Sequence, residues 1–307
     1  MEKNKAFEKK LIVILGPTAS GKSDLAVKIA SQTNGEVISA DSRQVYKGMD
    51  IGTGKITKKE MKGIPHYLLD VASPKARFTV AQYQKLARIA INNIFKKNKT
   101  PIICGGTGFY IQSIVDNIVI PEVKPDWELR AKLEKKSVAE LYKMLKKLDP
   151  KRAKNIEKKN PRRLIRALEI VLKTKKAVPE FKSNPLPYPV LIIGIKKPKA
   201  ELKKLISLRL GKRLKGGMIK EVENLRKSGV SWKKLESFGL EYRWLSRFLQ
   251  NKISKKEMIE KLQKDIEHFS NRQMTWFKRD SRIRWIIKPS QADKLIKTFL
   301  DNKKLPY

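Results

Sequence analysis

Eight residues near the start of the chain have the composition of an anion cradle. Gly16, Pro17, Thr18, Ala19, Ser20, Gly21, Lys22 and Ser23 fit the pattern G-x-x-x-x-G-K-[ST]. A glycine-bounded loop running into a helix aims backbone N–H groups at phosphate oxygens, and the helix dipole adds to their pull. Lys22 supplies a point charge to the same phosphates, and the Ser23 hydroxyl suits Mg2+. The pattern specifies a di- or triphosphate and leaves the reaction open.

Asp41 is the second chemical group. It follows a short expected strand, residues 36–40, and ligands of parallel sheets bind at the carboxyl ends of strands. A carboxylate there could act as a general base, hold a water on Mg2+, or cap a helix. Gly105 to Gly108 follow another short run at the same edge and read as a close backbone approach or as a plain turn. His66 is a lone histidine in a half-apolar stretch, which fits a core or surface residue better than a catalytic one; His268 is given no role. Arg162, Arg163 and Arg166 fall within about one helical turn, at i,i+3 and i,i+4 spacing. Like charges on adjacent turns repel, so either a polyanion nearby or simple solvation of that face accounts for them.

These groups need a frame that gathers strand ends. Residues 11–15 form a continuous apolar run that ends at Gly16, as a buried parallel strand reads. Helix formers follow over 24–31, a second strand over 36–40, helical spacing over 79–93, and a third strand over 101–104. Strands alternating with helices predict βαβ units and a parallel sheet. The texture changes near Asn117. Pro121 and Pro125 make a linker, and residues 126–176 are nearly all helix-forming. Residues 151–176 carry eleven Lys and Arg against Glu157 and Glu169. A proline-rich stretch, 179–189, closes this region, and 190–195 reads as a strand again, with helices over 199–227, 242–250 and 255–279. The expected fold is α/β, a P-loop NTPase-like parallel sheet flanked by helices (1–116 and 188–307) and interrupted by an all-α insertion (117–187).

The 307 residues carry 70 Lys and Arg against 30 Asp and Glu, a formal net charge of +40, and 40% are apolar, enough for a packed core. Such a charge on a folded chain fits a polyanionic partner. Nucleic acid comes before a membrane surface, because no basic amphipathic helix with a Trp/Phe face stands out. A lysine-rich surface throughout is the plain alternative. The longest early apolar run is five residues. A membrane span needs ~20 and a signal segment ~7–15, so no membrane and a cytoplasmic location are expected. The single cysteine, Cys104, has no partner for an internal disulfide, and no Cys/His cluster is present to hold zinc.

Taken in order, residues 16–23, 38–55, 65–70 (Pro-His-Tyr-Leu-Leu-Asp), 105–110 (Gly-Gly-Thr-Gly-Phe-Tyr), 160–169 and 272–277 resemble the ordered blocks of the tRNA dimethylallyltransferases. The resemblance runs from residue 11 to about 280. That family moves a dimethylallyl group from dimethylallyl diphosphate to N6 of adenosine 37 in the tRNA anticodon loop and releases diphosphate. The resemblance implies that residues 16–23 hold the donor diphosphate rather than ATP, with Mg2+ on Ser23. It makes Asp41 the general base, and Asp41, Ser42, Arg43 and Gln44 a tRNA-contact segment. Thr107 and Arg130 match positions flanking the substrate channel. Arg162, Arg163, Leu164, Ile165 and Arg166 match a tRNA-contact stretch, and Arg209 an arginine that helps bind the diphosphate. His66 aligns with the family's histidine in its block. Two departures stand out. Ser23 replaces the common Thr and keeps the hydroxyl. Gly239 and Tyr242 are separated by two residues where many members have them adjacent.

The chemistry suits these groups. The adenine N6 lone pair is delocalised into the ring, so a carboxylate that takes its proton would help by ~10²–10⁴-fold. Loop amides, Lys22, Mg2+ and Arg209 offer positive charge where the leaving diphosphate develops its own. Two other readings remain in view: a P-loop kinase for a small molecule, which gives no reason for the +40 charge, and a non-catalytic RNA-binding protein, which leaves the P-loop and Asp41 idle. A monomer is the default oligomeric state.

Overall fold

The computed structural model describes residues 8–121, 123–179, 184 and 186–302. The chain divides into two compact units, one of residues 1–117 with 185–307 and one of residues 118–184. Residues 180–183 and 185 of the proline-rich stretch lie outside the described residues.

The first unit is built on six parallel strands: β1 (Leu11–Leu15), β2 (Gly35–Ser39), β3 (His66–Tyr67), β4 (Thr100–Gly105), β5 (Val190–Ile195) and β6 (Arg284–Ile286). Their order across the sheet is β3-β2-β4-β1-β5-β6. β1 is hydrogen-bonded on both sides, with Leu15 in register with Gly105 of β4 and Gly194 of β5. Its side chains are buried on both faces, which is why the run carries no polar residue. Leu11, Val13 and Leu15 pack in a layer with α3 (Val80–Lys96) and α4 (Gly108–Val115), while Ile12 and Ile14 pack with α1 (Lys22–Gln32) and α14 (Ser290–Leu300). Lys10, just before β1 and 4% exposed, donates from Nζ to the Phe299 and Leu300 carbonyls at 3.0 and 2.8 Å. It satisfies two orphan carbonyls at the end of α14. A short helix, α2 (Lys58–Met61), opens on a capping box formed by Thr57 and Glu60.

A further apolar core of this unit lies among α9 (Lys199–Lys215), α10 (Met218–Lys227), α11 (Trp232–Phe238), α12 (Leu240–Leu249) and α13 (Lys255–Phe277), with Val45, Tyr46 and Met49 packed into it. The helical stretch expected over 199–227 is two helices. The chain breaks at Gly216 and Gly217, and Gly217 takes φ +95°, where a side chain is disfavoured. The strand-like pairing at His66–Tyr67 and the strand at Arg284–Ile286 are additions to the sequence reading; both lie at sheet edges and are too short to show a period.

The second unit holds α5 (Trp127–Glu134), α6 (Val138–Leu148), α7 (Pro150–Lys154) and α8 (Pro161–Thr174). Leu133, Leu141, Leu145, Leu164, Ile165 and Leu168 form its core. α6 begins with a capping box of Ser137 and Glu140, and α8 with the Asn160 side chain accepting from the Arg163 N–H, followed by Pro161 at the first helical position.

Candidate active site

The P-loop leaves β1 and enters α1. Ala19 and Gly21 both take left-handed backbone conformations, at φ +62° and +86°, which turn successive N–H groups toward one side of the loop. The N-terminus of α1 has no side-chain cap, and the Ser20 hydroxyl is buried without a hydrogen-bond partner. Open helix-end amides beside an orphaned buried hydroxyl are what an anion would satisfy. Lys22 is half-buried and donates to the Pro17 carbonyl at 3.2 Å. Burial holds its ammonium below the ordinary lysine pKa; Arg209 and Arg213 push it the same way, while Cys104 and Asp41 oppose them. Cys104 lies behind the loop, 3.5 Å from the Lys22 carbonyl, and burial pushes its thiol up to about 12, so it is an inert packing group.

Asp41 lies two residues beyond β2 and is half-buried. Its Oδ1 accepts the N–H groups of Arg43 at 2.8 Å and Gln44 at 3.3 Å. The capping alternative is thus realised in a turn, and it fixes the carboxylate through one oxygen. Among the described residues Oδ2 has no hydrogen-bond partner. The neighbouring loop after β4 is stitched to this turn: Thr107 Oγ1 accepts the Ser42 N–H at 3.0 Å, and the Thr107 N–H reaches the Ala40 carbonyl at 3.1 Å. Gly105 faces Ala40 so closely that a Cβ would overlap its carbonyl, which resolves the glycine run in favour of close packing between protein loops. The side chains of Arg43 and Gln44 are engaged within the protein. Arg43 Nε donates to the Phe238 carbonyl at 2.8 Å, and Gln44 Nε2 to the Gly54 carbonyl at 3.3 Å.

The family resemblance names Arg209 and not its neighbours. Arg209 donates to the Gly54 carbonyl and Arg213 to the Gly52 carbonyl, both at 3.2 Å. Gly54 has φ +60°, and a Cβ there would collide with both guanidiniums. The Glu221 carboxylate holds this loop in place by accepting the N–H groups of Asp50, Ile51 and Gly52 at 2.8, 2.6 and 3.0 Å and the Tyr242 hydroxyl at 2.8 Å. Arg213 also donates to buried Glu241 at 3.1 Å. Glu241 is one of the two residues that separate Gly239 from Tyr242. Gln273, from α13, bridges the Thr18 N–H and the Gly106 carbonyl, each at 2.9 Å. None of these contacts has a local sequence signal, because each joins segments more than twenty residues apart.

Other candidates lie elsewhere. His66 is on the edge strand β3; its Nδ1 donates to the Ile64 carbonyl at 2.8 Å, and burial holds its pKa below the ordinary value. In the helical unit, Leu164 and Ile165 correct the expectation of direct tRNA contact: they are 0% and 6% exposed in the core. Their place on α8 puts them on its apolar face. Arg130 and Arg166 are turned onto buried Glu169. Arg162 and Arg163 stay on the surface, Arg163 within 3.3 Å of Glu157.

A family model described as IPP transferase matches residues 44–280. The tRNA dimethylallyltransferase of Acetivibrio thermocellus is 40% identical over 297 residues, which cover 94% of this chain and 95% of that one. The tRNA dimethylallyltransferase of Thermoanaerobacter pseudethanolicus is 41% identical over 285 residues, 90% of each chain. Among solved structures, the full-length tRNA isopentenylpyrophosphate transferase of Bacillus halodurans is similar with a TM-score of 0.73 and 33% identity, over 96% of this chain and 98% of that one. A eukaryotic dimethylallyltransferase acting on tRNA is similar with a TM-score of 0.81 and 25% identity, over 98% of this chain and 81% of that one. The small-molecule kinase alternative finds no support in these matches. Likeness of this extent, in sequence and in structure, bears out the resemblance read from the motif blocks: the chain belongs to the IPP transferase family, that of the tRNA dimethylallyltransferases.

Proposed function

We propose that this chain transfers a dimethylallyl group from dimethylallyl diphosphate to N6 of adenosine 37 in the tRNA anticodon loop and releases diphosphate. The observation that carries the proposal is the convergence at the carboxyl ends of β1, β2 and β4. There an uncapped P-loop is joined through Gln273 to the loop after β4, and that loop is joined through Thr107 to the turn of Asp41, whose carboxylate has one fixed and one open oxygen. Gln44 of that turn shares the Gly54 carbonyl with Arg209, next to Arg213 on Gly52. The P-loop amides, Lys22 and Arg209 bind the diphosphate. The N6 lone pair forms a bond to C1 of the allyl group as the C1–O bond breaks. The bonding electrons leave with diphosphate, and the N6 proton passes to Asp41 Oδ2. Oδ1, held by two N–H groups, keeps the acceptor in place.

Among the described residues, no group of three or more His, Cys, Asp or Glu could hold a metal ion by itself. The uncapped start of α1 and the orphaned Ser20 hydroxyl fit a diphosphate that carries Mg2+ with it; the Ser23 hydroxyl would hold the ion together with phosphate oxygens and waters. When bound, Mg2+ supplies charge neutralisation of the leaving group. The exposed Arg162 and Arg163 and the lysines around them supply phosphate contacts to the anticodon stem-loop. These help offset the few kcal/mol needed to unstack the base.

The test is incubation of the protein with unmodified tRNA, Mg2+ and dimethylallyl diphosphate, with and without ATP. Digested nucleosides should show a C5H8 gain on adenosine with no ATP consumed; stoichiometric ATP hydrolysis would count for a kinase. Asp41→Asn should lower kcat by ~10²-fold or more with donor affinity nearly unchanged. A near-normal kcat would remove Asp41 from the role of base.

A further inference from the structure

Gln273 is 6% exposed and lies on α13 one turn before Trp276. Its Oε1 accepts the Thr18 N–H and its Nε2 donates to the Gly106 carbonyl, both at 2.9 Å. The amide therefore fills the space between the start of the P-loop and the loop after β4. It fits closely enough that a Cβ on Gly106 would fall on Nε2. The two ends of the P-loop differ as a result. At the helix end, the amides are uncapped and the Ser20 hydroxyl has no partner. At the strand end, the Thr18 N–H is already taken and a buried side chain stands over it. P-loops that accept nucleoside triphosphates lay the phosphates along the loop, with the lysine reaching the β and γ groups. A phosphate chain seated at the open end here meets Gln273 as it extends toward Thr18. Advancing further means breaking both hydrogen bonds and leaving a buried amide unpaired.

We infer that Gln273 sets the length of anion this P-loop accepts, admitting a diphosphate and excluding a third phosphate. The inference rests on the P-loop being the diphosphate site. Electrostatics alone predicts the opposite order: tripolyphosphate carries more charge than pyrophosphate and should bind the Lys22, Arg209 and Arg213 cations more tightly. A filled space at the strand end inverts that order.

The experiment is calorimetric titration of the full-length protein with inorganic pyrophosphate and with tripolyphosphate, in Mg2+, for wild type, Gln273→Ala, Gln273→Asn and Lys22→Ala. Wild type should bind pyrophosphate about tenfold or more tightly than tripolyphosphate. In Gln273→Ala the two should come within about threefold or reverse, through a gain for tripolyphosphate. Gln273→Asn keeps the amide on a side chain one carbon too short to span both partners, and it should shift the ratio the same way. It decides the matter together with the wild-type ratio if melting shows Gln273→Ala to be unfolded. Tripolyphosphate binding wild type as tightly as pyrophosphate overturns the inference, as does a ratio unchanged in a folded Gln273 variant. Undiminished pyrophosphate binding by Lys22→Ala is a separate result: it removes the P-loop as the diphosphate site and this inference with it.

Discussion

In the helical unit Arg130 and Arg166 converge on the Glu169 carboxylate. Arg130 donates from Nε at 2.8 Å and Nη2 at 2.6 Å, Arg166 from Nη1 at 2.5 Å, and the Asp126 N–H adds another bond at 2.7 Å. In the sheet unit Arg209 and Arg213 lie beside the Glu241 carboxylate, which accepts from Arg213 at 3.1 Å and from its own backbone N–H. Burial acts on both glutamates, and the outcomes differ. At Glu169 burial raises the carboxyl, but the hydrogen bonds from Arg130, the Asp126 N–H and Arg166 outweigh it and hold the pKa below the ordinary value. At Glu241 burial prevails and the pKa is raised despite Arg213. Burial, with the Arg213 charge beside it, brings the Arg209 guanidinium down to about 10. The first pair is a finished cross-link. The second keeps donors and positive charge in reserve, which is the condition a diphosphate would relieve.

Removing the glutamate should break the finished pair. Glu169→Gln should cost about 2–3 kcal/mol in unfolding free energy, less than a fully buried pair because both guanidiniums reach solvent, and should leave pyrophosphate affinity unchanged. Its pH dependence follows from the depressed carboxyl. The contribution is complete above the unfolded value of 4.5 and is lost as pH falls through the folded pKa. Chemical unfolding across acid pH should show that loss in wild type and not in the variant. Arg209→Gln probes the unfinished pair. Donor KM should rise ~10–100-fold, the loss of a charge-assisted bond, with the melting temperature nearly unchanged. A fall in stability without a change in KM would make the two pairs alike. The smallest effect belongs to the outward arginines of α8. Replacing Arg162 and Arg163 together by Gln should flatten the salt dependence of tRNA binding by about 1.4–1.8 in log–log slope, read from affinities at several salt concentrations. An unchanged slope would take those two residues off the RNA contact surface.

The sequence already contains the frame of the site. β1 and β5 coincide with their apolar runs, 11–15 and 190–195, because a strand buried on both faces has no polar positions to blur its ends. The P-loop and Asp41 are legible for a related reason: a phosphate loop and a strand-end carboxylate are local in the chain. Glu221, Glu241, Arg213 and Gln273 are not, since each acts on a segment brought to it only by the fold; Gln273 is 255 residues from Thr18. The charge count misleads in the helical unit for the same reason. One of the two acids among its basic residues, Glu169, is buried beneath Arg166, one of the arginines read as surface charge on spacing alone, and beneath Arg130.

The place of β1 in the sheet also has a consequence in time. β1 bears the P-loop, and its two neighbours are β4, about 85 residues later, and β5, which is made only after the whole helical unit. At ~5–20 residues per second, roughly 10–35 s separate the synthesis of β1 from that of β5. Through that interval one side of the strand has no ladder, and an unpaired apolar edge is open to the wrong partners. The helical unit, whose contacts are close in sequence, can form on the ribosome within the same interval. The nascent chain thus holds a candidate RNA-binding surface before it holds a diphosphate site, and chaperones that cover strand edges have the most to do while β5 is awaited.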